Sequence, residues 1–132
     1  MLVVDASALA EYLIGSPAGR SAAEHMSIQA GDLHLPHLAI AEVASVLRSW
    51  VARGEITEQR ASGAIEDLAA FPAMRYDSEP LLSRVWQLRH NLSAYDAHYV
   101  ALAEALGAPL LTGDARIARA SGHAASVILL DG

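Results

Sequence analysis

The sequence has 132 residues and contains no cysteine and no lysine. Without cysteine, the chain has no disulfide framework, no thiolate zinc site and no cysteine nucleophile. Aromatic residues make up only 5% of the chain and charged residues 18%, whereas hydrophobic residues make up 53%. This balance excludes a low-complexity disordered protein and provides enough apolar side chains for one sizeable core. We therefore expect a single domain over residues 1–132.

Positive charge and long hydrophobic runs are also scarce. All 9 basic residues are arginine and the formal net charge is -6, which argues against nucleic-acid binding through bulk electrostatics but not against an acidic site loaded with metal. No apolar run approaches transmembrane length. The first apolar run is interrupted by Asp5 and lacks the basic start of a signal peptide. We expect a cytoplasmic protein with no membrane partner.

Short β-like runs alternate with longer helical patterns along the chain. The pattern predicts strands at 2–4, 33–35, 74–76, 110–112 and 127–130, and helices at 6–14, 17–28, 38–53, 57–70, 80–90, 93–107 and 115–120. Such alternation predicts an α/β fold, with a mostly parallel, short-stranded sheet flanked by helices on both faces. The strands 2–4 and 127–130 are continuously apolar, which predicts burial on both faces. The two successive helices between 38 and 70 predict an αα-hairpin that projects from the sheet or covers a partner surface.

Four carboxylates stand at four separate element ends. Asp5 follows the first strand and Asp114 the fourth, while Glu42 and Asp96 lie in the first turns of two helices. In a parallel sheet the carboxyl ends of strands and the starts of the following helices share one crevice, so these four side chains can meet. Crowded carboxylates raise each other's pKa unless a cation is present, and Mg²⁺ and Mn²⁺ prefer oxygen ligands. The pattern therefore predicts a metal site.

Helix capping is the alternative role for three of these acids. Asp5, Asp96 and Asp114 each stand where a carboxylate stabilises a helix start, and a capping side chain can still face the crevice. Glu42 has apolar neighbours, and a buried carboxylate needs a cation or an arginine beside it. His98 lies two positions beyond Asp96, which favours a surface position or a core hydrogen bond over metal ligation.

Four sequence stretches carry a resemblance to a known family. Residues 3–9, VVDASAL, resemble the opening motif of PIN-domain proteins, and residues 41–43, AEV, resemble their helical glutamate motif. Residues 92–97, LSAYDA, and 106–114, LGAPLLTGD, look like the last two acidic motifs of that family. Order, spacing and chain length are similar to those of VapC toxins, the ribonucleases of bacterial toxin–antitoxin pairs. The resemblance covers essentially the whole chain.

The resemblance implies a metal-dependent endoribonuclease that hydrolyses RNA phosphodiester bonds with Mg²⁺, or Mn²⁺, and leaves a 5′-phosphate and a 3′-hydroxyl. The residues that match the family's catalytic, metal-binding acids are Asp5, Glu42, Asp96 and Asp114. Ser7 and Thr112 match its hydroxyl positions beside the site. The resemblance also implies a homodimer and a cognate VapB-like antitoxin, whose tail occupies a groove and reaches the acids.

Two other functions fit an acidic crevice. One is a non-catalytic module that binds a cation or a basic peptide, and the other is a metal phosphatase that acts on small phosphate esters. The predicted αα-hairpin also offers apolar residues that either line a groove for an amphipathic helix or belong to the ordinary core. These residues are Leu47, Trp50, Val51, Ile65, Leu68 and Phe71.

Overall fold

A computed structural model describes residues 1–131, which contain five strands and seven α-helices. The strands are β1 (Leu2–Val4), β2 (Leu33–Pro36), β3 (Met74–Tyr76), β4 (Leu110–Thr112) and β5 (Val127–Leu129). The helices are α1 (Ala6–Ile14), α2 (Pro17–Ile28), α3 (Leu38–Ala52), α4 (Glu58–Ala69), α5 (Leu82–Gln87), α6 (Ala94–Leu106) and α7 (Ala115–Arg119). All strand pairs are parallel, in the order β3-β2-β1-β4-β5, which confirms the predicted α/β fold.

The strand order reverses at β1, and this reversal positions the site. Val3 pairs with His34 of β2 on one side and with Leu110 of β4 on the other. The chain leaves β1 towards β2 and returns later to β4, so the carboxyl ends of β1 and β4 open onto one crevice. Ligand sites of open α/β sheets lie at such a switch point.

The core forms around the two central strands and α6. Each residue of β1 and β4 is buried, as the continuous apolar run of β1 predicts. Helix α6 contacts β1, β2 and β4, and its seven consecutive residues 97–103 are all buried. A helix that is apolar around its whole circumference belongs inside a domain. None of the helices in residues 1–131 is long and apolar enough to cross a bilayer.

The predicted helix ends agree closely with the structure where a glycine or a capping side chain defines them. Gly15 and Gly107 end α1 and α6 in the left-handed region, with φ of 68° and 63°. Thr57 and Ser93 lie just before α4 and α6, and each side chain accepts a hydrogen bond from a backbone N–H of the first turn.

Two predicted elements differ from the structure. The predicted helix 80–90 is a 3-10 turn at Glu79–Leu81 followed by α5, which ends at Gln87. Pro80 cannot donate a backbone hydrogen bond, and it lies within the tighter turn. The strand predicted at 127–130 is not buried on both faces, because β5 is an edge strand and Leu129 is 42% exposed.

The αα-hairpin of α3 and α4 packs on α1. Leu47, Leu68 and Phe71 are buried in the core, and of these three Leu47 also borders a groove between α3 and α4. Trp50 is half-buried and packs against this core. Hairpin packing depends on the path of the whole chain, which the local sequence pattern does not contain.

Candidate active site

The four predicted acids line one crevice of about 640 Å³ at the carboxyl edge of the sheet. Asp5 comes from the end of β1, Glu42 from the second turn of α3 and Asp96 from the first turn of α6. Asp114 comes from the junction between β4 and α7. The structure therefore brings together four carboxylates that are up to 109 residues apart in the sequence. Their chemical role stays a prediction.

Asp5 is the most buried acid of the crevice, with 3% of its surface exposed. Its carboxylate accepts hydrogen bonds from the Ser7 hydroxyl at 2.7 Å, the Ala8 backbone N–H at 2.9 Å and the Thr112 hydroxyl at 2.5 Å. The bond from Ala8 caps α1, so Asp5 both caps a helix and faces the crevice. Burial raises the pKa of Asp5 to about 6, although the three hydrogen bonds oppose this shift.

The two hydroxyls predicted to support the site hold Asp5 in place. Ser7 Oγ accepts a hydrogen bond from the Gly113 backbone N–H at 2.9 Å, and Thr112 Oγ1 accepts one from Asp114 N–H at 2.9 Å. Each hydroxyl therefore connects the carboxylate of Asp5 to the loop that follows β4. Ser7 lines the crevice, whereas Thr112 is fully buried.

Glu42 has a partner that the acidic motifs do not indicate. The buried Tyr99 hydroxyl donates a hydrogen bond to Glu42 Oε1 at 2.5 Å. Burial raises the pKa of Glu42, and the negative charge of Asp96 acts in the same direction. Burial and the neighbouring Glu42 raise the pKa of Tyr99 as well. Tyr99 lies three positions after Asp96, so helical spacing places both on one face of α6 and provides the sequence signal for this partner.

Asp96 and Asp114 differ in charge environment. Burial and the nearby Asp114 raise the pKa of the half-buried Asp96. The guanidinium of Arg116 lies 2.7 Å from Asp114 Oδ2 and lowers the pKa of that carboxyl. Arg116 also lines the crevice, with 78% of its side chain exposed, and is the counter-ion of Asp114. Its position two residues after Asp114, within the first turn of α7, is the signal in the sequence.

The crevice continues along α3 beyond the acids. Ser45, Val46 and Ser49 line it and lie three, four and seven positions after Glu42, which is the spacing of one helix face. Tyr95 lines it from the first turn of α6 and is 63% exposed. By contrast, His98 is buried with Nδ1 2.5 Å from the Ala94 carbonyl oxygen, as the core alternative predicts.

The donor set of the crevice suits a hard cation. Every candidate ligand is a carboxylate or hydroxyl oxygen, the kind that Mg²⁺ and Mn²⁺ prefer. As the side chains stand in residues 1–131, no three histidine, aspartate or glutamate groups are arranged to hold a metal ion. Asp114 is bonded to Arg116, and Glu42 to Tyr99. The donor atoms thus suit a hard cation by their chemistry.

Comparisons with known proteins agree on one family. The PIN domain model matches residues 2–122. Ribonuclease VapC1 of Mycobacterium tuberculosis is 44% identical over 121 residues, which are 91% of this chain and 90% of that protein. Ribonuclease VapC12 of the same organism is 35% identical over 130 residues, which are 98% of this chain and 99% of that protein. The family resemblance read from the sequence is therefore confirmed.

Two solved structures share the fold. PAE2754 from Pyrobaculum aerophilum superposes with a TM-score of 0.69 and 24% identity, over 96% of this chain and 81% of that chain. VapBC2 from Rickettsia felis, crystallised bound to a DNA fragment from the promoter, superposes with a TM-score of 0.68 and 16% identity, over 99% of this chain and 100% of that chain. Both similarities concern the arrangement of strands and helices described above.

Proposed function

This chain belongs to the PIN domain family, and from that premise we propose that it is a VapC-type toxin, a divalent-metal-dependent endoribonuclease that acts in the cytoplasm. Relatives at 35% and 44% identity over most of the chain carry the name ribonuclease. The single observation that carries the proposal is the convergence of Asp5, Glu42, Asp96 and Asp114 on one crevice. Crowded, partly desolvated carboxylates of this kind are stabilised by a cation.

In this proposal the four acids hold Mg²⁺ or Mn²⁺. When bound, the ion supplies a lower pKa for an attacking water and neutralises the charge that develops on the phosphate. Ser7 and Thr112 hold the carboxylate of Asp5, and Tyr99 holds that of Glu42. These hydrogen bonds fix the direction of the ligand oxygens, as outer partners of metal ligands do.

Arg116 has a second role in the proposal. Rotation of Asp114 away from its guanidinium frees the guanidinium in an otherwise acidic crevice. A free arginine there binds the RNA phosphate by charge-assisted hydrogen bonds, for which its planar fork is well suited.

A nuclease assay tests this function against its two rivals. We expect the purified protein to cleave mixed RNA in the presence of Mg²⁺ or Mn²⁺ and to stop when EDTA is added, whereas p-nitrophenyl phosphate stays intact. Hydrolysis of the small ester without RNA cleavage would instead identify a phosphatase. Metal binding without turnover of either substrate would identify a binding module. An Asp96→Asn protein serves as the control for contaminating nuclease.

We further propose that a small cognate VapB-like antitoxin neutralises this protein. Helices α3 and α4 enclose a groove of about 590 Å³, whose apolar lining includes Leu47, Val51 and Ile65. Arg48 and Glu58 are exposed and line the same groove, so a polar rim borders an apolar floor. This arrangement suits the apolar face of an amphipathic helix.

Ile65→Asp is expected to weaken antitoxin binding at least about tenfold, because it places a charge where an apolar helix face would be buried. Ile65 is 41% exposed, so the domain tolerates the change. Ile28→Asp is the matched control, since Ile28 is 79% exposed and lies at the end of α2, outside the groove. The measurement is co-purification with the product of the adjacent small gene, together with inhibition of cleavage. Equal binding by both variants would show that the antitoxin uses another surface.

The proposed assembly also contains two copies of this chain. Size-exclusion chromatography with light scattering of the free protein tests this homodimer. A mass near 13.9 kDa at micromolar concentration would exclude it.

A further inference from the structure

We propose that Tyr95, Ser45, Val46 and Ser49 form a nucleobase slot beside the catalytic acids, and that this slot selects the nucleotide next to the cleaved bond. The inference rests on the proposed function, because it assigns the RNA base that the crevice receives. We use the term nucleobase slot for these four residues, all of which line the crevice of the acids.

Electrostatics favours a contact with the RNA base in addition to phosphate binding. The crevice carries four carboxylates and a single cationic side chain, Arg116, which can bind a phosphate only after Asp114 rotates away from it. The whole chain carries a formal net charge of -6. Proteins that grip nucleic acid through phosphates need several basic groups, which this crevice lacks. Stacking of an unpaired base on an aromatic ring is the favourable contact that an acidic site can still offer.

Tyr95 is placed for such stacking. Its side chain is 63% exposed and lines the crevice, although the next residue, Asp96, is half-buried. The Ser93 hydroxyl accepts a hydrogen bond from Asp96 N–H at 3.1 Å, so the backbone that carries the ring is fixed in the first turn of α6. A single exposed aromatic residue is ordinary on a protein surface. The ring of Tyr95, however, lies on the fixed first turn of a helix, beside four acids that line the same crevice. It is therefore placed to contact the substrate of those acids.

Helix α3 provides the second wall of the nucleobase slot. Ser45 is exposed and Ser49 is half-buried, and their hydroxyls can each donate and accept hydrogen bonds at the edge of a base. Val46 is half-buried, lines the same crevice and presents an apolar surface. The crevice volume of about 640 Å³ lies within the range of sites that hold small organic ligands. The crevice as a whole is therefore large enough to receive a nucleoside.

Tyr95→Leu tests the slot, with Tyr95→Phe and Trp86→Leu as controls. The phenylalanine keeps the stacking ring, and Trp86 is 68% exposed but lies outside the crevice. Binding of fluorescent oligoribonucleotides is measured by anisotropy in an Asp96→Asn background, which prevents turnover. We expect Tyr95→Leu to weaken binding roughly tenfold or more, the usual effect of losing one stacked base, and the two controls to stay near the parent.

Cleavage of oligoribonucleotides that differ only at the nucleotides flanking the cleaved bond is the second readout. Tyr95→Leu is expected to bring the ratio of kcat/KM between the best and worst sequences towards one. Ser45→Ala combined with Ser49→Ala is expected to change that ratio with a smaller loss of affinity. A Tyr95→Leu protein with the parent's affinity and sequence preference would overturn the nucleobase slot alone. Failure of the parent to cleave any RNA would overturn the proposed function instead.

Discussion

Replacing Asp5 with asparagine is expected to reduce RNA cleavage at least about 100-fold and, at the same time, to stabilise the metal-free protein at pH 7. In the proposed function asparagine removes a negative metal ligand, and even the loss of an outer partner of a metal ligand costs about 10- to 100-fold. The gain in stability follows from burial. Asp5 is 3% exposed and its carboxyl has a pKa of about 6. At pH 7 this carboxyl is ionised, although its burial favours the neutral form.

The size and sign of this stability effect come from the pKa of Asp5. Folding raises the pKa from 3.8 to about 6, so the folded state favours the protonated acid. The destabilisation is fully present above pH 6 and disappears as the pH falls to about 4. A shift of this size corresponds to about 3 kcal/mol of unfolding free energy. Asparagine keeps an acceptor for Ser7 and Ala8 and offers Thr112 a donor, so most of this amount is recoverable.

Urea unfolding of the metal-free parent and of Asp5→Asn at several pH values measures the effect. Between pH 7 and pH 5 the parent should become more stable relative to Asp5→Asn, and the difference between the two should shrink. Asp77→Asn is the matched control, because the side chain of Asp77 is 81% exposed at the same edge of the sheet. A variant that is less stable than the parent at pH 7 would show that the carboxylate contributes to folding as an anion.

The acids can be recognised in the sequence because they occupy positions where the stability of the fold favours an apolar residue. Asp5 directly follows the apolar strand β1, and Glu42 lies among apolar residues of α3. Each acid is therefore charged where its sequence neighbours are apolar. The apolar runs 2–4 and 110–112 also show where β1 and β4 end. Parallel pairing then places those ends at one edge of the sheet, and convergence of the acids follows from topology alone.

The features of the fold and of the site that the sequence did not predict depend on contacts between distant segments of the chain. The hairpin of α3 and α4 packs on α1, which sends Leu68 and Phe71 into the core and leaves Ile65 beside the groove. Edge position decides that Leu129 is exposed, and nothing in the apolar run 127–130 reveals which strand lies at the edge. Arg116 lies two positions after Asp114 and Tyr99 three positions after Asp96, but only the side-chain conformations show which acid each one binds.

The second large effect concerns the metal ion. Because the pKa values of Asp5, Glu42 and Asp96 are all raised, with burial as the first cause, the metal-free crevice is destabilised at neutral pH. An ion that binds only the folded state at about 100 times its Kd adds roughly 2.7 kcal/mol, which corresponds to a rise in Tm of about 10 °C for a domain of this size. The ion should also favour the ionised carboxylates, so the rise should be larger at pH 7 than at pH 5.

Two variants on the same side of the crevice should change this rise in opposite directions. Arg116→Gln removes the internal counter-ion of Asp114, so the metal-free acids repel each other more and Mg²⁺ or Mn²⁺ should raise the Tm further than in the parent. Asp114→Asn removes one ligand and one charge, so the rise should be smaller. Calorimetry with and without the metal measures both, and NaCl of equal ionic strength controls for general screening of the charges. Equal shifts in the parent and both variants, or a shift that NaCl reproduces, would show that the four acids do not hold the ion.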